Sequence, residues 1–196
     1  KIIKKWIIVY DNNSINQKKK IYSKDKDILE FFVKDIDSVS GNSQRNYGLD
    51  YLNKLKNKNF YIYFLDDDNI IHKNFYKIIK QINLNEKFIY TFDQFRNQKV
   101  HLYNKFKFIK ILKGNTIKQG YIDIAMFLAN FSLINNIRWS KKIYIADGKY
   151  VEDCLKNKKK YHRYLPITAC YYNFIQTNFF AKFSFFNFLN KLKNIL

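Results

Sequence analysis

The sequence predicts an α/β domain whose mainly parallel central sheet is flanked by helices, on three observations. Short apolar runs alternate with stretches whose apolar residues recur at helical spacing. One run, Phe60 to Leu65, is unbroken, the pattern of a strand buried on both faces of a parallel sheet. That run stops abruptly at Asp66, Asp67 and Asp68, and in α/β sheets ligands bind at such carboxyl ends of strands.

Along the chain, Trp6 to Tyr10 is an apolar run rich in β-branched residues that ends in the polar loop Asp11, Asn12, Asn13, Ser14, so a buried strand is expected. Ile28 to Val33 reads as a second strand. In residues 42–55, Tyr47, Leu49, Leu52 and Leu55 fall near helical spacing. Beyond the aspartates, Phe75, Ile78, Ile79 and Ile82 predict a helix over Asn74 to Ile82. Short strands follow at Lys87 to Phe92, Val100 to Leu102 and Phe106 to Leu112. Helices are expected at Ile122 to Asn135 and Lys149 to Asn157, and the basic stretch Lys158, Lys159, Lys160, His162, Arg163 reads as a solvated loop. His72 reads as an exposed helix residue.

A chain of 196 residues suits one domain with a real core, and 47% hydrophobic with 19% aromatic residues argues against disorder. A single Pro and five Gly leave the turns to Asn, Asp and Ser. The net charge of +20 invites a nucleic-acid partner, but the lysines are spread along the chain and only Arg45, Arg96, Arg138 and Arg163 are arginines. A basic surface is the expectation, and nucleic acid is not the expected partner. Cys154 and Cys170 have no metal spacing and read as free thiols of a reducing compartment.

Three adjacent carboxylates repel one another and do nothing for stability. A divalent cation resolves the conflict, since Mg²⁺ or Mn²⁺ takes one or two carboxylates while phosphate oxygens fill other positions. The run Tyr63, Phe64, Leu65, Asp66, Asp67, Asp68, Asn69 resembles the DxD segment of the GT-A fold glycosyltransferases, and is most similar to glycosyltransferase family 2. Upstream, Gly41 to Leu49 resembles that family's G-x-x-x-R-N-x-G-L helix start, and Trp6 to Ser14 resembles its second strand. The resemblance covers residues 5 to 155 and implies a Rossmann-like GT-A domain over residues 1–178.

By that resemblance Asp11 contacts the nucleotide base and Arg45 the nucleotide. Asp66 and Asp67 lie at the ribose and diphosphate, and Asp68 with Asp66 holds Mn²⁺ or Mg²⁺. The competing readings are a turn aspartate for Asp11 and a structural salt bridge to the acidic turn for Arg45. Asp123 and Trp139 resemble acceptor-site residues, with a plain helix start as the alternative for Asp123. The base that takes the acceptor's proton is Asp147, or alternatively Glu152 or Asp153. The family's first strand lies about thirty residues before its Asp11 counterpart, by analogy with doubly wound folds. Here the sheet is expected to lack that strand, in a chain that is truncated or has a reduced nucleotide site.

The activity so implied is metal-dependent, inverting transfer of a sugar from a nucleotide diphosphate donor, UDP-linked, to a hydroxyl of a glycan or lipid-linked acceptor. Surface polysaccharide or lipooligosaccharide synthesis on the cytoplasmic face of the membrane fits. Residues 179–196, rich in Phe with Lys182, Lys191 and Lys193, read as an amphipathic segment for peripheral contact with that face. A catalytically inactive relative serving as an interaction subunit, and a basic nucleic-acid-binding module, are the competing classes.

Overall fold

β-branched and aromatic runs set the strands of the computed structural model, which describes residues 5–11, 24–33, 39–99, 106–156 and 159–172. β1 (Trp6–Asp11) and β2 (Ile28–Val33) pair in parallel as a separate two-stranded sheet. α1 (Asn42–Asn53) packs on β1. The other strands are β3 (Tyr61–Tyr63), β4 (Ile70–Ile71), β5 (Ile89–Lys99), β6 (Phe106–Leu112), β7 (Phe127–Asn130) and β8 (His162–Tyr172). They form a six-stranded sheet in the order β3-β7-β5-β8-β4, with β6 paired to β5 beside this path. α2 (Phe75–Gln81) and α4 (Ala146–Leu155) complete the helices that run beyond one turn among the described residues, and α3 (Phe131–Ile134) is a single turn.

The expected Rossmann-like, mainly parallel GT-A sheet is not what forms. Within the six-stranded sheet only β5 and β8 run parallel, and every other pairing is antiparallel, giving a curled mixed sheet shaped as a half-barrel. The reason lies in what an apolar run can encode. Residues 60–65 were read as a strand buried on both faces, but the strand is short, only Ile62 is buried, and its partner β7 is antiparallel. Burial makes a run apolar whatever the direction of the neighbouring strand.

Residues 122–135 depart furthest from the expected helix. Asp123 caps a 3₁₀ turn, Ile124–Met126, by accepting from Ala125 N at 2.9 Å. The chain then enters β7, fully buried between β3 and β5. Asn130 caps α3 by accepting from Ser132 N at 3.0 Å. Both cap residues are present, but each starts only a single turn. The residues between them pack into the sheet, where extended backbone meets partners on both sides.

Of the basic stretch expected as a loop, Lys159 and Lys160 lie in a 3₁₀ turn, Lys159–Tyr161, while His162 and Arg163 open β8, and His162 Nε2 lies 2.7 Å from Thr91 Oγ1 of β5. Pro166 is tolerated because the β5–β8 register shifts between Thr91 and Asp93, where the ladder does not require its missing N–H. His72 precedes α2 and lies half-buried against Phe95 and Tyr171. β5 runs seven residues beyond the strand expected to end at Phe92, β6 has the expected bounds, and Val100 to Leu102 and residues 179–196 lie outside the described residues. No helix among the described residues is long and apolar enough to cross a membrane.

Two buried clusters cover the sheet. One joins α1 and α4 through Leu49, Trp139, Tyr150 and Val151, and the other joins α2 through Phe75, Phe92 and Ala169. Cys154 and Cys170 are buried free thiols.

Two glycines test the packing with opposite signs. A Cβ on Gly148, in the first turn of α4, would come 2.5 Å from the backbone Cα of Gln119, so Gly148→Ala should destabilise by about 1–3 kcal/mol. A Cβ on Gly48, inside α1, would meet only Val9 Cγ2 at 3.9 Å, so Gly48→Ala should stabilise by about 0.5–1 kcal/mol. Urea denaturation of the two variants beside the parent checks both signs.

Candidate active site

The site is built from the start of α1. Gly41, at φ 71°, follows Ser40, at φ 55°, so two successive left-handed residues turn the chain into the helix. That turn aims the Ser40 carbonyl back at the helix, where Arg45 Nη1 donates to it at 2.7 Å and to Asn42 Oδ1 at 3.2 Å. On the same helical face, one turn apart, Asn42 and Asn46 hold the segment that precedes α4. Asn42 Nδ2 donates to Ser140 O (2.9 Å) and Ile143 O (3.0 Å). Asn46 Nδ2 donates to Trp139 O (2.9 Å) and its Oδ1 accepts from Trp139 N (2.8 Å). The Asn-x-x-Arg-Asn spacing therefore fixes both a guanidinium and the approach to α4.

Arg45 then reaches two carboxylates far apart in sequence. Its Nη2 donates to Asp66 Oδ1 at 2.5 Å, and Nη1 stands 4.0 Å from Asp147 Oδ1. Burial opposes the charge on Arg45, but Asp66 and Asp147 outweigh that cost and raise its pKa. Asp147, in the first turn of α4, also receives the indole N–H of Trp139 at 3.4 Å. Burial raises the Asp147 pKa and the charge of Asp66 adds to it, while Arg45 and Trp139 act in the other direction. An elevated carboxylate held by a fixed donor and facing a partly open site suits proton abstraction.

A second acid, Asp123, is buried on the same side. Its Oδ1 accepts from Gln94 Nε2 (3.1 Å) and Ala125 N, and its Oδ2 lies 3.6 Å from Arg96 Nη2. Burial and the charge of Asp147 push its pKa up to about 6. Arg96 is held by Gln94 Oε1 at 2.9 Å and lies over the Tyr172 ring at 4.5 Å. Gln94, Arg96 and Tyr172 were not foreseen from the sequence. The available signal was the polar pair Asp93-Gln94 inside an aromatic strand, where a buried polar side chain needs a reason.

The acidic turn lies between β3 and β4, closed by Asn69 N on Asp66 O at 3.1 Å. Asp67 is exposed. Asp68 is half-buried, and burial together with the charges of Asp66 and Asp67 raises its pKa. Among the described residues, no three His, Cys, Asp or Glu side chains are grouped to hold a metal by themselves. A Mg²⁺ or Mn²⁺ that arrives with a diphosphate takes only one or two protein carboxylates. Asp66, whose Oδ1 is held by Arg45, and the half-buried Asp68 are the carboxylates of this turn that would supply that number. The donor set fits a metal carried in with phosphate, not a preformed cage.

The predicted residues thus divide. Arg45, Asp66, Asp147 and Trp139 come together, with Asp68 and Asp123 in electrostatic reach. Asp11 ends β1 on the separate two-stranded sheet. Trp139, expected to meet the acceptor, is only 2% exposed and stacks on Tyr150 at 3.5 Å between ring centroids, so its role is to hold Asp147. Glu152 accepts from Gln119 N at 2.7 Å and Asp153 is paired with Lys149, which leaves Asp147 as the one candidate base within the cluster. No protein-family model matches the chain, and a search of curated proteins returns no match.

Asp123 carries a pH signature. Its folded pKa of about 6 lies above the ordinary aspartate value of about 3.9, so the folded state binds the proton more tightly and stability is lost as pH rises between those values. Relative to Asp123→Asn, the parent should lose on the order of 2–3 kcal/mol from pH 4 to pH 7. Urea melts of both proteins across that range measure the difference, and a difference constant with pH would refute the raised pKa.

Proposed function

We propose that the chain is a metal-dependent glycosyltransferase that moves a sugar, with inversion, from a nucleotide diphosphate donor, UDP-linked, to a hydroxyl of a glycan or lipid-linked acceptor. The observation that carries this reading is the meeting of Asp66 and Asp147 on one guanidinium. These residues are far apart in sequence and occupy the donor and base positions of the family resemblance. A surface folded for stability alone has little reason to gather like-charged side chains, and Asp147 is raised by burial with the charge of Asp66 adding to it.

In this reading Asp68 and Asp66 hold Mg²⁺ or Mn²⁺, which supplies positive charge to the departing diphosphate. Asp147 accepts the proton of the acceptor hydroxyl as its oxygen attacks the anomeric carbon. Trp139, through its indole N–H, and Arg45 keep that carboxylate oriented. Because Arg45 is already bonded to Asp66, Ser40 and Asn42, its part is positioning more than direct grip on the nucleotide. Surface polysaccharide or lipooligosaccharide assembly at the cytoplasmic membrane face is the setting that fits such an acceptor.

Calorimetric titration of UDP with and without Mn²⁺ tests the donor half. Metal-dependent binding is expected in the parent and should be lost in Asp68→Ala. Absence of UDP binding by the parent in Mn²⁺ would refute the transferase reading in favour of an inactive interaction subunit. Asp147→Asn keeps an oxygen for the Trp139 N–H, so it should bind UDP unchanged while UDP release from the accepted UDP-sugar slows by about 10²–10⁴-fold. Equal rates in Asp147→Asn and parent would remove Asp147 as the base.

A further inference from the structure

Among the described residues, the three most exposed large apolar side chains are Tyr144 at 78%, Ile145 at 55% and Tyr121 at 52%. They come from two loops, residues 118–121 and 141–145, that are fastened to one another. Gln119 Nε2 donates to Ile145 O at 3.2 Å, and Gln119 N donates to Glu152 Oε1 of α4 at 2.7 Å. The close approach of Gln119 to Gly148 completes the seam. The three side chains therefore belong to one edge of the molecule.

Positive charge outweighs negative at that edge among the described residues. Lys118, Lys141 and Lys142 are exposed, and Lys118 Nζ lies 5.7 Å from the centre of the Tyr121 ring. Of the nearby acids, Glu152 lies on the seam at Gln119 N, while Asp153 pairs with Lys149 and Asp147 turns inward to Trp139 and Arg45. Among the described residues no acid of the two loops pairs with the three lysines, and exposed apolar residues clustered within a polar rim mark interaction surfaces.

We propose that the edge formed by Tyr121, Tyr144, Ile145 and Lys118, Lys141, Lys142 docks on an anionic lipid bilayer. Tyrosine suits the headgroup level because its ring is apolar and its hydroxyl remains wet, and an exposed Ile between tyrosines adds apolar area to insert. Lysines beside it gain from the negative surface potential of anionic lipid. A protein partner would match the apolar residues equally well, but three lysines bordering them, against one acid, Glu152, among the described residues of the edge, are complementary to a uniformly negative plane. The inference stands without the transfer reading. If that reading also holds, docking would set Asp147, two residues beyond Ile145, close to the plane where a lipid-linked acceptor emerges.

The test is flotation of the full chain with vesicles of phosphatidylcholine alone and of phosphatidylcholine with about one third phosphatidylglycerol. Binding should require the anionic lipid and weaken with salt. Tyr121→Ser/Tyr144→Ser/Ile145→Ser and, separately, Lys118→Glu/Lys141→Glu/Lys142→Glu should each reduce the bound fraction by about tenfold or more at equal melting temperature. Retention of both variants at the parent's level would overturn the proposal and leave vesicle binding to residues outside this edge. Failure of the parent to float with anionic vesicles would do the same, as would a change in sedimentation mass showing that the edge joins two copies of the chain. UDP titration of the triple-serine variant separates the two ideas, since donor binding should be unaffected by loss of docking.

Discussion

The acidic turn joins the two edges of the six-stranded sheet. β3 and β4 stand at opposite ends of the path β3-β7-β5-β8-β4, yet only residues 64–69 separate them in sequence. A flat path of five strands would set its edges about 19 Å apart. Residues 64–69 do not cross such a gap in extended form, because Asn69 bonds back to Asp66 and closes a turn. The sheet must curl for its edges to be linked this way, and the three aspartates are thereby suspended across its open side. Strands β5, β7 and β8 lie beneath, with Gln94, Arg96, Asp123 and Tyr172 at or near them.

Carboxylates gathered in this way repel one another, and the fold answers with fixed cations. Arg45 serves Asp66 and Asp147, and Arg96 serves Asp123. Neither arginine is free to wander, since Arg45 is tied to Ser40 and Asn42 and Arg96 to Gln94 and the Tyr172 ring. Asp68, Asp123 and Asp147 nevertheless keep raised pKa values, with burial the largest cause in each and neighbouring carboxylates adding to it. Residual negative potential in a partly open cluster is what a cation-bearing or proton-donating ligand would meet.

How much of this could be read from the chain follows from what each pattern encodes. β1, β2 and α1 were legible because their apolar residues recur at the periods of strand and helix, and Arg45 with Asp66 because the acidic run and the Gly41 to Leu49 stretch are unusual for any structural purpose. Strand direction was not legible. The apolar run at residues 60–65 reports burial, and burial is common to parallel and antiparallel partners. Residues 122–135 misled for a related reason, since Asp123 and Asn130 are true caps whose turns last only as long as the sheet allows. β8 was hidden by the basic residues that precede and open it and by Pro166, and its place beside β5 depends on Thr91 and Asp93, which no local pattern around residues 162–172 can announce. Trp139 shows the remaining difficulty: proximity to the site was foreseeable, but which face of the ring would be buried depended on Tyr150 and Phe64.

α4 connects the proposed chemistry with the proposed docking edge. Its first turn carries Asp147 inward against Trp139, its Gly148 admits Gln119, and the residues just before it, Tyr144 and Ile145, are turned out to solvent. The segment that leads into it is pinned by Asn42 and Asn46 of α1, the helix that also carries Arg45. The exposed residues and Asp147 are therefore joined by a short stretch of chain that is hydrogen-bonded to α1. An interfacial contact at Tyr144 and Ile145 would bear on the same helix turn that orients the carboxylate. The inward acid and the outward apolar pair can be placed independently in sequence, but in this fold they are held by the same few asparagine and glycine contacts.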